Sequence, residues 1–180
     1  MRILGLVIVH LVTLKLFAQS GFDKQFKAII KDTSNGFPNF RKPQRDSSGD
    51  NFEKYVIRYQ AIFNIPETED NIVLISEVKI IRDDTTNLIT YSYNARMLDS
   101  LKEGKARKLC DDWRDRLSGI LGSGFIVKEF ENRPWLPGKY GWKFSNKELI
   151  VSLDVVPLAN SNLNVIWLSI SYTTYKLRYG

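Results

Sequence analysis

Residues 99–122 read DSLKEGKARKLCDDWRDRLSGILG, and we expect the rest of the chain to pack around this stretch. Its apolar residues recur mostly at steps of three and four, which places them on one stripe of a helix. Ser100 and Glu103 have the S-x-x-E spacing of a capping box, and Gly122 allows a positive φ after the last turn. The pattern therefore predicts a long amphipathic helix, whose apolar stripe contains Leu101, Leu109, Trp113, Leu117, Ile120 and Leu121.

A shorter helix is predicted before it, over residues 21–32. Phe22, Phe26 and Ile29 recur on one face, and we expect this face to dock on the fold. The alternative is a membrane-surface helix, because lysines flank the aromatic face. Residues 33–51 follow and are rich in Ser, Asn, Gly and Pro, a composition typical of a flexible loop or linker.

Seven runs are predicted as strands, because apolar and polar residues alternate in them or β-branched residues dominate. They cover 55–65, 72–82, 88–95, 125–131, 141–145, 149–156 and 165–177. Polar turns separate several of them, which favours antiparallel meanders. We therefore expect an α+β fold, a two-layer sandwich in which one or more antiparallel sheets of about seven strands are covered by one long and one short helix. The elements follow the order helix, meander, helix, meander.

The first twenty residues have the pattern of a secretory signal peptide. Arg2 gives a positive start, an apolar run covers 3–14, and Ala18-Gln19-Ser20 is a small-x-small end. A retained anchor is the alternative, although Lys15 interrupts the run before it reaches the roughly 20 residues that span a bilayer. We expect cleavage after this segment, a single domain over 21–180, a secreted or periplasmic location and no transmembrane segment in the mature chain.

Removing this leader also removes His10, the only histidine of the sequence. A mature chain without histidine has no Ser-His-Asp or Cys-His catalytic system and no histidine-ligated zinc site. The sequence also contains no phosphate-binding glycine loop and no nucleophile elbow. Arg2 and Lys15 lie in the leader, so 24 of the 26 basic residues remain against 20 acidic ones. This mild charge argues against a nucleic-acid partner, and we predict neither a cofactor nor a metal site.

Two other kinds of reactive side chain remain. Cys110 is the single cysteine and lies beside the apolar stripe of the long helix. We interpret it as an inert buried residue, with a reactive thiol as the alternative. Carboxylates can also perform acid and base chemistry where two converge on one bond. Those on the long helix alternate with arginine and lysine, as on an ordinary solvated face. The candidates are Glu77, Asp111, Asp112, Asp115, Glu129, Glu131 and Asp154.

Residues 132–141, NRPWLPGKYG, have the composition of a binding surface. Trp135 and Tyr140 offer flat faces with a polar edge, and Arg133 and Lys139 offer hydrogen-bond donors. Two prolines lower the entropy cost of presenting these side chains. We predict that Arg133, Trp135, Lys139 and Tyr140 form a ligand-binding loop. The alternative is a hairpin loop whose tryptophan folds back on the sheet.

The sequence therefore favours an exported, non-enzymatic binding or interaction module of the bacterial cell envelope. Its expected partner is an unidentified protein, peptide or glycan of the envelope. The first alternative is a carboxylate-dependent envelope hydrolase or isomerase, which needs two acidic side chains in one cleft. The second is a structural subunit of a larger assembly, which needs an exposed apolar patch.

Overall fold

The structure is a computed structural model, which describes residues 21–51, 54–79, 86–98, 100–131 and 140–177. Two helices, one short 3-10 turn and nine strands are present in these ranges. In chain order they are α1 (21–32), the 3-10 turn (Thr33–Asn35), β1 (Arg41–Asn51), β2 (Lys54–Ala61), β3 (Thr68–Lys79), β4 (Thr86–Met97), β5 (Leu101–Lys102), α2 (Glu103–Leu121), β6 (Ile126–Glu131), β7 (Tyr140–Asn146), β8 (Leu149–Pro157) and β9 (Leu163–Leu177).

The nine described strands form one sheet in which neighbouring strands run antiparallel. The strand order is β1-β2-β3-β4-β9-β8-β7-β6, and the two-residue strand β5 pairs with the start of β9. Each half of the sheet is a four-stranded meander preceded by a helix. The halves meet at the β4–β9 pair, so β9 lies in the middle of the sheet.

The predicted fold, a sandwich with about seven strands, is wrong, because the described chain forms a single sheet of nine. The prediction missed β1 and β5. Residues 41–51 were expected within a flexible loop, yet they form the edge strand β1, whose pairing with β2 shifts register between Arg41 and Arg45 and again before Ser47. Pro43 lies inside the first shift. An edge strand tolerates proline there, because one side of the strand has no partner and a missing N–H on that side removes no hydrogen bond between strands.

The long helix α2 is present as predicted, but it begins at Glu103 rather than at Ser100. Leu101 and Lys102 are extended and pair with β9, and the N-cap Lys102 makes no side-chain cap hydrogen bond. The predicted capping box is therefore wrong, because the pairing of Leu101 and Lys102 with β9 moves the helix start to Glu103 and leaves Ser100 outside the N-cap position. The other end agrees with the prediction: Gly122 has a φ of 76°, and its N–H donates to the carbonyl oxygen of Ser118 at 3.0 Å.

The hydrophobic core lies on one face of this sheet. The register places Tyr93 of β4 beside Ile170 of β9, and Ile170 beside Val151 of β8. All three side chains are fully buried. Since side chains alternate along a strand, every second residue of these strands points to the same core. α2 covers this face with Ala106, Cys110, Trp113 and Leu117.

α1 packs against α2 over the same core. Phe22, Phe26 and Ile29 are 0% exposed, and the ring centroids of Phe22 and Trp113 are 4.6 Å apart. The guanidinium of Arg116 lies over both rings and forms an ion pair with Asp23 in α1. The predicted docking of the aromatic face is thus confirmed, and this face is not available to a membrane surface. Within the described ranges, no helix combines the length and apolar character of a membrane span.

Candidate binding face

The sheet face opposite the helices is open in the described part of the chain. No side chain of this face belongs to the buried core cluster. Alternation along β9 places every second residue on this face, and Val165 near the start of the strand is buried there at 2% exposure. We call the five residues that follow it on this face the β9 row: Trp167, Ser169, Ser171, Thr173 and Tyr175. The row has an aromatic ring at each end and short hydroxyl side chains between them.

The hydroxyl groups of the β9 row are hydrogen-bonded to neighbouring side chains of β4. Three cross-strand pairs form: Ser169 donates to Asn94 Oδ1 at 2.7 Å, Ser171 Oγ lies 3.0 Å from Ser92 Oγ, and Thr173 Oγ1 lies 3.2 Å from Thr90 Oγ1. These side chains are half-buried, and a hydroxyl bonded once still has capacity to accept further hydrogen bonds. The centre of the open face is therefore a surface of short polar groups that a ligand can approach closely.

The open face deepens beside Trp167 into a depression of about 580 Å³. Besides Trp167, its lining includes Arg58 and Gln60 of β2, Ile72 of β3 and Asn64 of the intervening turn. An aromatic ring next to planar amide and guanidinium groups offers an apolar surface together with oriented hydrogen-bonding groups. This combination suits a polar ligand that has one apolar surface.

A buried polar network fixes the turn between β2 and β3, which contributes to the lining of this depression. The hydroxyl of Tyr93 lies 2.8 Å from the carbonyl oxygen of Phe63 and 3.0 Å from Asn71 Oδ1. Asn71 Oδ1 also accepts the backbone N–H of Ile65 at 3.2 Å. Burial raises the pKa of Tyr93 above its usual range, so the hydroxyl remains a neutral donor. The turn is therefore positioned before any ligand binds.

Charged groups beside Trp167 have partners of their own. Arg96 is the β4 neighbour of Trp167, and its guanidinium pairs with Glu69 at 2.7 Å and with Asp70 at 2.8 Å. On the other side of Trp167, Asp154 of β8 accepts a hydrogen bond from Ser152. The β9 row itself carries no charged residue, so it offers hydrogen bonds and aromatic contact rather than an ionic site.

The predicted binding loop falls mostly on residues that the structure does not describe. Arg133, Trp135 and Lys139 lie outside the described residues, so this site stays a prediction. Tyr140 is the first residue of β7 and is buried at 6% exposure. Its hydroxyl donates to Asp111 Oδ1 at 2.5 Å. Tyr140 therefore faces α2 and does not offer its ring at the surface.

Tyr140 belongs to a polar cluster between α2 and β7. Trp142 Nε1 donates to the same Asp111 oxygen at 2.8 Å, and the guanidinium groups of Arg107 and Arg114 stack on the rings of Tyr140 and Trp142 at 4.7 and 4.5 Å. Burial, followed by the hydrogen bond to Asp111, raises the pKa of Tyr140 to about 12. Because these groups contact one another, we interpret the cluster as a structural contact that stabilises the packing of α2 on β7.

The strand carboxylates that were considered for catalysis do not converge. Glu77 of β3 and Glu129 of β6 share the helix side of the sheet, but five strand spacings separate them, which corresponds to about 24 Å. Asp154 lies on the open face. Glu77 and Glu129 are therefore far beyond the separation of about 5 to 10 Å that paired carboxylates need for glycoside chemistry, and Asp154 points to the opposite side of the sheet from both. The side chain of Glu131 is not described.

The helix carboxylates form ordinary surface interactions, apart from Asp111. Asp112 accepts from Lys108 at 3.0 Å, and Asp115 accepts from Arg114 at 2.7 Å. The predicted salt-bridged face is therefore confirmed for these two residues. Among the described residues, no group of three or more His, Cys, Asp or Glu side chains is placed to hold a metal ion.

Cys110 lies on the buried side of α2 and is 0% exposed. Burial, followed by the negative charge of Asp111, raises the pKa of its thiol to about 12. The reactive species of cysteine is the thiolate, which is scarce at neutral pH when the pKa is so high. The predicted burial of Cys110 is confirmed, and the raised pKa agrees with an inert thiol.

The β9 row was missed at the sequence level, although its signal is visible. Residues 167–175 read WLSISYTTY, in which every second residue from Trp167 is aromatic or carries a hydroxyl. The apolar run over 165–168 indicated a central strand and drew attention to the buried face. The residues that alternate with this buried set predict a row of aromatic and hydroxyl side chains on the opposite face of the strand.

Comparison of the chain with protein-family models, with curated proteins and with solved structures finds no match. A functional hypothesis therefore has to come from the chemistry of the surface, because a fold by itself does not determine a function.

Proposed function

We propose that this chain is an exported, non-enzymatic binding module of the bacterial cell envelope and that it binds its partner through the open face of the sheet. The observation that carries the proposal is the asymmetry of the sheet. Both described helices lie on one face, whereas the β9 row and the depression beside Trp167 lie on the other. The pattern of a secretory leader over residues 1–20 supports the export of the protein.

The chemistry of this face suits binding better than catalysis. The Ser and Thr side chains of the β9 row bond to one another and to Asn94. None of these bonds joins a hydroxyl to a general base such as histidine, which an activated nucleophile needs. Asp154 is the carboxylate next to Trp167, and it accepts a hydrogen bond from Ser152. These contacts support recognition through hydrogen bonds and aromatic surface.

The test is a binding assay with one arginine added to each side of the sheet. Ser171→Arg places a long charged side chain in the middle of the open face. We expect it to weaken co-sedimentation of the purified protein with isolated envelope by about tenfold or more, as for loss of a central interface contact. Gly119→Arg is the matched control, since Gly119 lies on the exposed side of α2 with no atom within 4 Å of an added Cβ.

Thermal melting of both variants shows whether each remains folded. Equal binding by wild type, Ser171→Arg and Gly119→Arg would contradict the proposal, because the contact would then lie elsewhere. So would a wild-type protein that does not bind envelope at all.

A further inference from the structure

We infer that the ligand of the open face is an extended, uncharged polysaccharide that lies along the β9 row with one end in the depression beside Trp167. This assignment rests on the proposed function and adds the class of ligand. It is carried by the length of the row, by the order of its side chains and by its lack of charge.

The row is long enough for several sugar rings. Trp167 and Tyr175 are separated by eight residues of regular strand, a distance of about 27 Å at the usual rise per residue. Tyr175 is 69% exposed, so its ring is a free surface at one end. A ligand that contacts both rings must be an extended chain rather than a single small molecule.

The side chains of the row match the two kinds of surface on a sugar. The C–H face of a pyranose is apolar and stacks on aromatic rings, which is the role that Trp167 and Tyr175 can fill. The hydroxyls around the ring both donate and accept hydrogen bonds, and so do the serine and threonine hydroxyls between the two aromatic residues. Along the row, an aromatic ring is followed by hydroxyl groups and then by a second aromatic ring. Successive sugars of one glycan chain could therefore contact these side chains in turn.

The charges near the row favour a neutral ligand. The row carries no ionisable residue apart from the phenol of Tyr175, and Arg96 beside Trp167 is paired with Glu69 and Asp70. Arg58, Lys128 and Lys143 share this face but lie on strands two or three away from β9. A polyanionic glycan would need cations along the row itself, because its charges would lose water on binding. An uncharged chain meets no such penalty here.

An extended peptide fits this position less well. Peptides that bind to sheets usually add a strand at an edge, where backbone N–H and C=O groups are unpaired. β9 lies between β4 and β8, and both neighbours pair with it along most of its length. β8 pairs with β9 as far as Tyr172, so from Trp167 to Ser171 the row presents side chains only. A peptide lying there would leave its own backbone groups without strand partners.

The depression accounts for one end of the ligand. Its volume of about 580 Å³ lies within the range of small-ligand sites. Arg58, Gln60 and Asn64 supply planar polar groups to its lining. These groups are suited to the hydroxyls of a terminal sugar whose ring stacks on Trp167.

The experiment measures the binding of the purified protein to chitohexaose, cellohexaose and maltohexaose by calorimetry, with the corresponding disaccharides beside them. We expect at least one hexasaccharide to bind, and its disaccharide to bind about tenfold more weakly because it cannot span the row. Trp167→Ala and Tyr175→Ala should each weaken hexasaccharide binding by about tenfold, as expected for aromatic hot spots. Trp167→Phe retains a ring and should restore most of the affinity.

Val127→Ala is the matched control, because Val127 is an exposed apolar residue on the distant edge strand β6. It should bind like wild type. Binding that survives both alanine variants, or no binding to any of the three hexasaccharides, would overturn the polysaccharide assignment.

The envelope assay separates this failure from a failure of the proposed function. If no hexasaccharide binds but Ser171→Arg still abolishes co-sedimentation, the open face binds a different class of partner and only the ligand assignment is wrong. If Ser171→Arg has no effect in either assay, both are wrong.

Discussion

Gly141→Ala is expected to lower the free energy of unfolding by roughly 3 kcal/mol or more, at the upper end of the range for overpacked sites. A Cβ built at this position lies 2.2 Å from the carbonyl oxygen of Leu153 and 2.4 Å from the ring of Phe130. The first contact is with backbone of β8, the strand paired with β7. It cannot be relieved by rotating a side chain, so the β7–β8 pairing has to distort.

Urea denaturation of wild type and variant measures this difference. Gly119→Ala is the matched control, since an added Cβ there meets no atom within 4 Å. Alanine favours a helix over glycine, and we expect this variant to be more stable by about 0.5 to 1 kcal/mol. A Gly141→Ala protein as stable as wild type would show that β7 and β8 do not approach each other as described.

Phe26→Ala is expected to cost about 3 to 5 kcal/mol, the usual range for removing a large aromatic side chain from a core. Phe26 is 0% exposed and stacks on Phe22, with ring centroids 5.6 Å apart. Phe22 in turn contacts Trp113 of α2. The truncation therefore opens a cavity between α1, α2 and the sheet.

The same denaturation experiment tests whether α1 is part of the folded unit. Lys27→Ala changes the neighbouring exposed residue and should alter stability by less than about 0.5 kcal/mol. If Phe26→Ala costs no more than Lys27→Ala, then α1 does not close the core and residues 21–32 behave as a linker.

The helices could be predicted because their signals are local. The spacing of Phe22, Phe26 and Ile29 and of Trp113 and Leu117 follows the period of a helix, and packing reinforced that period. The end of α2 at Gly122 depended on one residue that adopts positive φ. These features need no knowledge of the rest of the chain.

β1 and β5 could not be predicted, because they depend on distant partners. Residues 41–51 have the composition of a loop and become a strand only because β2 is there to pair with them. Leu101 and Lys102 have the sequence of a helix start, but Leu163 and Asn164 hold them in an extended conformation. Tertiary pairing outweighs local preference in both places.

The β9 row on the open face could not be predicted for a related reason. Alternation in β9 divides its residues between two faces, but no local pattern shows which face the helices cover. The composition of residues 132–141 directed attention to a loop instead, and Tyr140 of that loop is buried against Asp111. Identifying the open face required the strand order of the whole sheet.

The central claim is that the uncovered side of the sheet is the side that binds envelope, and a pair of labelled variants tests it most directly. Ser171→Cys places a thiol on the open face, and Gly119→Cys places one on the exposed side of α2. The native Cys110 is buried and its pKa is raised to about 12, so a thiol-reactive fluorophore should label only the new residue. Fluorescence is then recorded with and without isolated envelope fragments. The account predicts a change in emission for the label at residue 171 and none at residue 119; a change at residue 119 alone, or at neither, would contradict it.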